Sequence, residues 1–275
     1  MYDIVASIVT FHNDKDVLRK TIKSFLGGSL NTFLYIIDNS ATDDLKQLCS
    51  DPRIEYVFNA KNLGFGAGHN MAIRAMTGKT KYSLVLNPDV YFDSGVLEKL
   101  FCFMNENKDV GLVMPKVLYP DGSLQHLCRL LPDPWDVLIR KIDVSVVNTL
   151  CAGKRWRYEL KNADYAQQMD VPSLSGCFMF VRTSVFDQTG LFDPRFFLYF
   201  EDVDLSRRIH RKWRTVYYPN VTIYHGYQRG SYKDWSLLKH HVVSAIRYFN
   251  KWGWFFDQDR LQTNAKTIRQ LSLDE

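Results

Sequence analysis

The stretch around which this chain is organised begins Ser175-Gly-Cys-Phe-Met-Phe-Val-Arg182 and ends Phe196-Phe-Leu-Tyr-Phe-Glu-Asp-Val-Asp-Leu-Ser-Arg-Arg208. Its first part is a short apolar run that predicts a buried strand, and its second part predicts a helix. Glu201, Asp202 and Asp204 would then lie in the first turn of that helix, beside an aromatic segment. A carboxylate beside apolar surface gains proton affinity, which suits a general base. The alternative is helix capping together with an Asp204–Arg208 pair at i,i+4.

The composition is that of a folded protein with one or two domains. The chain has 275 residues, of which 46% are hydrophobic, so it can bury a large core. No apolar run approaches the roughly 20 residues that span a bilayer. Asp3 interrupts the N-terminal apolar segment, which predicts that it is not a signal peptide. Five cysteines without a CxxC pair predict reduced thiols in a cytosolic protein.

Charge is distributed unevenly along the chain. Residues 205–275 hold 13 Lys/Arg and 5 Asp/Glu, a net charge of +8, whereas residues 1–204 carry −3. A basic C-terminal quarter predicts an anionic partner such as phospholipid, pyrophosphate or nucleic acid. Nucleic acid is the least favoured of these, because no RNA- or DNA-binding motif accompanies the basic residues.

Apolar runs alternate with helix signals over the first 120 residues, which predicts an α/β sheet with ligands at the carboxyl ends of its strands. The predicted strands are 4–10, 32–37, 54–58, 83–86 and 111–117. The candidate ligand residues that follow them are Thr10, Phe11, Asp38, Asn62, Gly64, Gly66, Asn70, Asn87 and Asp89. A nucleotide would lie across these strand ends, with Asp38 accepting hydrogen bonds from the base or ribose. The glycines either let the backbone approach a ligand or form an ordinary loop before a helix.

Two familiar nucleotide-binding motifs are excluded. The glycines at 64, 66 and 68 do not have the G-x-G-x-x-G spacing, and they follow the third strand rather than the first. Gly78-Lys79-Thr80 resembles the end of a P-loop, but Ile73 stands where that motif needs its first glycine.

Taken together, these segments resemble family 2 glycosyltransferases of the GT-A fold, and among them the rhamnosyltransferases of bacterial O-antigen and cell-wall polysaccharide synthesis. The segments that carry the resemblance are Ile8-Val-Thr-Phe11, Asp38-Asn-Ser40, Asn62 to Asn70, Leu86-Asn-Pro-Asp89, Gly176-Cys-Phe-Met179 and Phe197 to Arg208. The resemblance implies an α/β fold with a Rossmann-like mixed sheet flanked by helices over residues 1–230. It leaves 120–172 as an acceptor-side insertion and 231–275 as a basic, amphipathic helical extension.

The resemblance also implies a divalent cation, Mg²⁺ or Mn²⁺, held against a diphosphate by Asp89 and by the late histidine His225. Where the family has Asp-x-Asp this chain has Asn87-Pro-Asp89, so the metal site has one charge fewer. Asp202 matches the family's base, and Glu201 would hold an acceptor hydroxyl or orient the site. One base without an enzyme nucleophile implies a single displacement with inversion.

The activity implied by the resemblance is transfer of L-rhamnose from dTDP-L-rhamnose to a lipid-linked saccharide. The protein would be cytoplasmic and peripheral on the inner face of the cell membrane. One alternative is the same chemistry with UDP-galactose, UDP-galactofuranose or UDP-GlcNAc as donor. A second is a membrane-surface module that binds a nucleotide sugar without catalysis. Arg207 or Arg208 is a candidate phosphate contact, with surface ion pairing as its alternative.

The segment from Trp235 to Phe256 predicts an amphipathic helix. Its predicted apolar face consists of Leu238, Val242, Ala245, Ile246, Phe249, Trp252 and Phe256, and its predicted polar face of His240, Ser244, Arg247 and Lys251. Two interpretations remain open for the apolar face, which either docks on a membrane or packs on the catalytic domain.

Overall fold

The structure is a computed structural model that describes residues 1–139, 152–226 and 235–273. Nine strands in these ranges form one mixed sheet in the order β3-β2-β1-β4-β8-β6-β9-β5, with β7 paired to β9. The strands are β1 (Tyr2–Thr10), β2 (Thr32–Asp38), β3 (Ile54–Phe58), β4 (Thr80–Leu86), β5 (Val90–Tyr91), β6 (Val110–Leu118), β7 (Met169–Asp170), β8 (Phe178–Arg182) and β9 (Arg214–His225).

The helices of the described ranges flank this sheet or follow it in the chain. They are α1 (Lys15–Leu26), α2 (Phe65–Met76), α3 (Val96–Glu106), α4 (Pro134–Ile139), α5 (Ala152–Tyr158), α6 (Val185–Thr189), α7 (Glu201–His210), α8 (Trp235–Trp252) and α9 (Gln258–Gln270). Helices α1, α2 and α3 pack on the sheet through buried residues such as Phe25, Met76 and Leu100. The predicted α/β class with a mixed sheet and a helical C-terminal region is confirmed.

The parallel part of the sheet brings the predicted strand ends to one edge. Strand β1 pairs in parallel with both β2 and β4, and β2 pairs in parallel with β3. Thr10 is in register with Asp38, and Asp38 is in register with Phe58. Strand β1 is almost wholly buried, as expected of a central parallel strand with an unbroken apolar sequence.

Strand β8 joins this parallel group to the other half of the sheet. It runs antiparallel to both β4 and β6, and Leu86 of β4 is in register with Phe178 of β8. The loop after β4 therefore lies beside the segment that precedes β8, which is the start of the stretch quoted at the outset.

Helix α8 packs on the domain through a face that coincides only in part with the predicted one. Ala245, Tyr248 and Phe249 form a buried cluster with Phe196, Phe200 and Val203. Ser244, predicted to be on the polar face, is buried, whereas Val242 and Ile246, predicted to be on the apolar face, are 48% and 43% exposed. The prediction was correct for Ala245, Phe249 and Trp252, which pack on the domain. It was wrong for Val242, Ile246 and Ser244, because this helix has apolar residues on most of its sides and the polar Ser244 has a partner inside.

Part of the predicted domain division falls outside the described residues. The boundary predicted between 230 and 231 lies within 227–234, and residues 140–151 of the predicted insertion are likewise outside. Within the described remainder of that insertion, β7 pairs with β9 and so joins the sheet. No helix in the described ranges combines the length and apolar character that crossing a bilayer requires.

Candidate active site

Asp202 is held in a fixed orientation at the second residue of α7. Its Oδ2 accepts a hydrogen bond from the backbone N–H of Gly176 at 2.9 Å, and its Oδ1 accepts one from the N–H of Val203 at 2.8 Å. A Cβ at position 176 would lie 3.1 Å from the Cβ of Asp202, which is tighter than ordinary contact. The glycine therefore lets the segment before β8 approach and orient this carboxylate.

The turn that leads into α7 has an unusual backbone. Tyr199 and Phe200 have φ angles of 69° and 67°, in the left-handed region that residues with large side chains rarely occupy. Two contacts with α8 stabilise the turn. Ser244 Oγ donates to the carbonyl oxygen of Leu198 at 2.8 Å, and the ring of Phe200 packs against Tyr248. Helix α8 therefore helps to set the direction in which α7 begins.

Glu201 is buried beside Asp202, and its environment favours the protonated form. Its side chain is only 5% exposed, and Oε2 has no hydrogen-bond partner among the described residues. Burial, and secondarily the negative charge of Asp202, raises the pKa of Glu201 well above its usual value. The two adjacent acids therefore differ in environment, with Glu201 buried and its pKa raised, and Asp202 partly exposed.

The third acid of this turn belongs to the protein interior. Asp204 is fully buried and accepts hydrogen bonds from Arg208 Nε at 2.9 Å and Trp252 Nε1 at 2.8 Å. Lys251 Nζ lies 2.6 Å from its Oδ1. The i,i+4 pair of Asp204 and Arg208 is confirmed, and this carboxylate is engaged in linking α7 to α8.

The suggestion that Arg207 or Arg208 contacts phosphate was wrong. Arg207 is 1% exposed, and its guanidinium donates to both oxygens of Asp257 and to Asp259. Arg208 donates to Asp204 and to the carbonyl oxygen of Leu191. Both side chains are therefore occupied by protein partners.

Asp89 and His225 lie together where β4 and β9 end. His225 Nε2 is 3.4 Å from Asp89 Oδ1 and 3.3 Å from Asn87 Nδ2. Gln125 fixes the histidine ring, because its amide nitrogen donates to the carbonyl oxygen of His225 at 2.8 Å and its Oε1 lies 3.0 Å from Nδ1. With Nδ1–H donating to Gln125 Oε1 in the neutral ring, Nε2 is left as the unprotonated nitrogen, 3.4 Å from Asp89 Oδ1.

This arrangement fits a divalent cation with an incomplete set of protein ligands. One carboxylate and one oriented imidazole are suitable ligands for Mn²⁺, and Mg²⁺ would depend more on the carboxylate. Among the described residues, no group of three or more His, Cys, Asp or Glu side chains has the geometry of a complete metal site. Oxygen atoms of a ligand and of water would therefore have to supply the remaining positions.

The two residues just before β8, Gly176 and Cys177, connect the Asp89 end of the site to Asp202. The N–H of Asn87 donates to the carbonyl oxygen of Cys177 at 2.9 Å, and the preceding residue Gly176 donates to Asp202. Burial raises the pKa of the Cys177 thiol to about 12, and the charges of Asp89 and Asp202 add to this shift. The loop that carries Asp89 and the carboxylate of Asp202 are therefore bonded to two adjacent residues, Cys177 and Gly176.

The other predicted strand-end residues occupy different environments. Asp38 is fully buried, and its carboxylate accepts hydrogen bonds from Tyr56 Oη at 2.6 Å and from the N–H of Ser40 at 2.9 Å. Thr10 is also buried, and its carbonyl oxygen accepts the N–H of Asn39. Phe11, by contrast, is 51% exposed. The part of this edge that can touch a ligand directly is therefore formed largely by Phe11 and its neighbours.

A cavity of about 230 Å³ lies beside these residues. Three of the predicted residues line it, namely Phe11, Asn62 and Gly64, and the other lining residues are Val9, Asn13, Asn39, Phe65, Phe197 and Leu198. Asn39, Phe65 and Phe197 belong to the sequence motifs, but no binding role was predicted for them. Asn39 directly follows β2, and that position was the signal that could have identified it. Phe65 begins α2 and Phe197 precedes α7, so neither lies at a strand end.

The glycines at 64 and 66 make room for protein atoms. A Cβ on Gly64, whose φ is 88°, would overlap the carbonyl oxygen of Phe197, and one on Gly66 would lie 2.9 Å from the Cβ of Phe192. Asn70 donates to the carbonyl oxygen of Phe192 and accepts from its N–H. In this structure, Gly66 and Asn70 hold the segment before α7 against α2, and they do not line the cavity.

Comparison with known proteins shows the family to which the chain belongs. Residues 7–190 match the model of the family described as Glycosyl transferase family 2. A Mycobacterium tuberculosis protein named N-acetylglucosaminyl-diphospho-decaprenol L-rhamnosyltransferase is 30% identical over 77% of this chain and 72% of its own length. Rhamnosyltransferase WbbL of Escherichia coli K12 is 23% identical over 89% of this chain and 92% of its own.

A solved structure with the same fold is that of GalNAc-T7 with UDP, GalNAc and Mn²⁺. It aligns with a TM-score of 0.64 at 12% sequence identity, over 99% of this chain. The chain spans 57% of the length of that protein. At this level of identity the likeness concerns the fold, which is of the GT-A type.

Proposed function

The chain belongs to glycosyl transferase family 2 and is a glycosyltransferase, and we propose that it transfers L-rhamnose from dTDP-L-rhamnose to a lipid-linked saccharide with inversion at the anomeric carbon. Two relatives that are named rhamnosyltransferases support the choice of sugar. The observation that carries the proposal is the orientation of the Asp202 carboxylate, which accepts hydrogen bonds from the backbone N–H groups of Gly176 and Val203. The next residue, Cys177, is bonded to the loop that carries Asp89.

In the proposed reaction, Asp202 accepts the proton of an acceptor hydroxyl while that oxygen attacks the anomeric carbon of the sugar. The new glycosidic bond forms on one face of the sugar as the bond to the diphosphate breaks on the other, which inverts the configuration. The nucleoside diphosphate leaves with the bonding electron pair, and Asp202 is left protonated. Its hydrogen bonds to Gly176 and Val203 keep the base directed at the same place throughout.

Glu201 orients the site without competing for this proton. Because its buried carboxyl favours the neutral form, it adds no second negative charge beside Asp202. A neutral acid can also donate a hydrogen bond to an acceptor oxygen, which a carboxylate cannot do.

We assign Asp89 and His225 as the protein ligands of a divalent cation, Mg²⁺ or Mn²⁺. Such an ion, when bound, stabilises the negative charge that builds up on a diphosphate leaving group. Gln125 keeps the imidazole in the orientation that this role needs. A metal site with a single carboxylate would depend strongly on the diphosphate for affinity, so we expect the ion and the donor to bind together.

The cavity is the proposed place for the nucleotide. Phe11 offers an exposed ring on which a base can stack, and the exposed Asn62 offers its side-chain amide for the edge of the base. Asn39 is buried and bonded to Gly64 and Asn59, so it shapes the wall of the cavity. Thr10 and Asp38 support this surface from below, through the bonds that hold Asn39 and Ser40.

The acceptor we propose is a saccharide on a lipid diphosphate, used in surface polysaccharide synthesis of the O-antigen type. The Mycobacterium tuberculosis relative supports this class, because it is named N-acetylglucosaminyl-diphospho-decaprenol L-rhamnosyltransferase. Such an acceptor keeps its lipid in a bilayer, so the protein would act on the cytoplasmic face of a membrane.

A panel of sugar nucleotides tests the donor. We would measure binding and slow hydrolysis of dTDP-L-rhamnose, UDP-galactose, UDP-galactofuranose and UDP-GlcNAc, each with Mn²⁺, with Mg²⁺ and with EDTA. The expected result is metal-dependent turnover that is fastest with dTDP-L-rhamnose. Preference for a UDP-sugar would move the proposal to that donor, and binding without any turnover would indicate a non-catalytic module.

A further inference from the structure

The C-terminal part of the molecule presents a group of large apolar side chains to solvent. We define the α8 surface by its exposed apolar residues, namely Trp235, Val242 and Ile246 on α8 and Trp254, Phe255 and Phe256 in the loop before α9. Trp235 is 85% exposed and Phe256 is 95% exposed. The three α8 residues share one face, because they are spaced seven and four residues apart along the helix.

The loop and the helix face form one continuous surface. Asn250 extends the α8 row by one more turn beyond Ile246, and its Oδ1 accepts a hydrogen bond from Trp254 Nε1 at 2.8 Å. The ring of Trp254 also packs against Phe249, with ring centroids 5.2 Å apart. The aromatic residues of the loop therefore continue the exposed face of the helix.

The loop has a defined backbone and is not a frayed end. Arg260, which is buried, donates to the carbonyl oxygens of Trp254 at 3.3 Å and Phe255 at 3.1 Å. The N–H of Gly253, whose φ is 100°, donates to Phe249 at 2.8 Å and closes the end of the helix. The protein thus holds three aromatic side chains outward in a fixed position, an arrangement that favours a partner surface.

The charge of this region indicates what that partner is. Helix α8 contains no Asp or Glu, and its exposed residues include Lys239 and Arg247. One guanidinium N–H of Arg247 donates to the carbonyl oxygen of Arg195, and its charge stays at the surface. Aromatic side chains beside basic ones are the combination that favours the headgroup region of an anionic bilayer. A two-fold contact between copies of this chain would instead bring the same basic side chains towards each other.

The opposite side of α8 reaches the cavity. The ring of His240 stacks on Phe197 with centroids 4.5 Å apart, and Ser244 holds the carbonyl oxygen of Leu198. Phe197 and Leu198 both line the cavity. One helix, about 10 Å across with its side chains, therefore separates the α8 surface from the proposed catalytic site.

We propose that the α8 surface docks on an anionic lipid bilayer and holds the cavity within reach of a lipid-linked acceptor. Trp254, Phe255 and Phe256 would enter the headgroup region, while Lys239 and Arg247 contact anionic headgroups. The link to the acceptor rests on the proposed function, whereas the docking itself requires neither donor nor acceptor.

Vesicle flotation of the full chain tests the docking. Vesicles of phosphatidylcholine alone and of phosphatidylcholine with phosphatidylglycerol are compared at low and high salt. We expect binding to the anionic vesicles that decreases as salt rises. The double variant Lys239→Gln/Arg247→Gln should bind anionic vesicles roughly 25-fold more weakly, because each basic residue contributes about a fivefold gain in binding near such a surface.

The apolar contribution has its own variants and a matched control. Phe255→Ser/Phe256→Ser should weaken binding at least about tenfold, because these rings supply inserted apolar area. Val242→Ser should also weaken it, whereas Val17→Ser should not, although Val17 on α1 is similarly exposed, at 43%. Thermal unfolding of each variant establishes that its fold is intact.

Transfer to a water-soluble acceptor analogue is measured on the same samples, so that the docking and the catalytic proposals fail separately. The surface variants should keep this transfer while losing transfer to an acceptor embedded in vesicles. The docking proposal is overturned if the intact protein does not float with anionic vesicles at low salt, or if Val17→Ser loses as much binding as Val242→Ser. It is also overturned if ultracentrifugation shows a dimer that the Phe255/Phe256 variant dissociates.

Discussion

Replacement of Arg207 by methionine should destabilise the protein strongly, because this arginine joins the helix that carries Asp202 to the C-terminal helices. Its guanidinium forms two hydrogen bonds with Asp257, at 2.7 and 2.6 Å, and lies 4.0 Å from the ring centroid of Trp252. Arg207 is 1% exposed and the Asp257 side chain 3%. Removing one member of such a buried pair costs about 3–5 kcal/mol, because the other charge loses its partner.

The pH dependence of this loss follows from Asp257. Burial acts to raise the pKa of Asp257, but hydrogen bonds from Arg207 and from the N–H of Arg260 outweigh it and hold that pKa below its usual value. The wild type therefore gains stability from this carboxylate above its ordinary pKa and loses that gain as the pH falls. The difference between wild type and Arg207→Met should be largest near neutral pH and should shrink below a pH of about 4.

Urea unfolding of four proteins measures the effect, namely wild type, Arg207→Met, Asp257→Asn and the double variant. The double variant should be more stable than the sum of the two single losses predicts, because no unpaired buried charge remains. A loss below about 1 kcal/mol in Arg207→Met, or strict additivity of the two single losses, would refute the assigned role of this pair.

Three further predictions concern the site. Glu201→Gln should unfold at a higher urea concentration than wild type at neutral pH. The folded-state pKa of Glu201 is raised, so the wild-type protein loses stability as the pH rises above the pKa of this carboxyl in the unfolded chain, and the difference between the two proteins should vanish in acid. A stability gain in Glu201→Gln that does not depend on pH would contradict the raised pKa. Asp89→Ala should weaken binding of dTDP-L-rhamnose in the presence of Mn²⁺, as measured by calorimetry, and make it insensitive to EDTA; unchanged metal dependence would remove Asp89 from the metal site. Ser244→Ala removes the hydrogen bond to the carbonyl oxygen of Leu198. We expect turnover to fall about 3- to 10-fold, in line with the loss of one hydrogen bond, while donor binding stays the same. A change confined to donor binding would argue that Ser244 does not set the turn before Glu201.

The meeting of distant residues at one edge was predictable from the strands alone. Parallel neighbours must end at the same edge, so apolar runs that end at Thr10, Asp38 and Asn87 indicated one ligand-binding region. The adjacent acids Glu201 and Asp202 were also visible as a helix start. These patterns could not predict the pKa of each acid, because the pKa depends on burial and on neighbours that other segments supply.

Other features depended on tertiary contacts that have no local signal. Gln125, which orients His225 from a loop 100 residues away, belongs to no motif. From the sequence, Arg207 is one of several basic residues at the end of a helix. Its buried partners Asp257 and Asp259 lie about 50 residues further along the chain and have no local signal. The packed face of α8 was predicted only in part for a related reason. Periodicity identifies the apolar sides of a helix but does not tell which of them meets Phe196 and Phe200.

The most direct test of the central claim is the rate of sugar transfer by Asp202→Asn with dTDP-L-rhamnose and a lipid-linked acceptor. The amide is similar in shape to the carboxylate but cannot take up the hydroxyl proton. We predict that turnover falls at least about 100-fold while donor binding, measured by calorimetry, is nearly unchanged. Glu201→Gln, measured in parallel, should lose less. Turnover of Asp202→Asn close to that of wild type would contradict the assignment of Asp202 as the base.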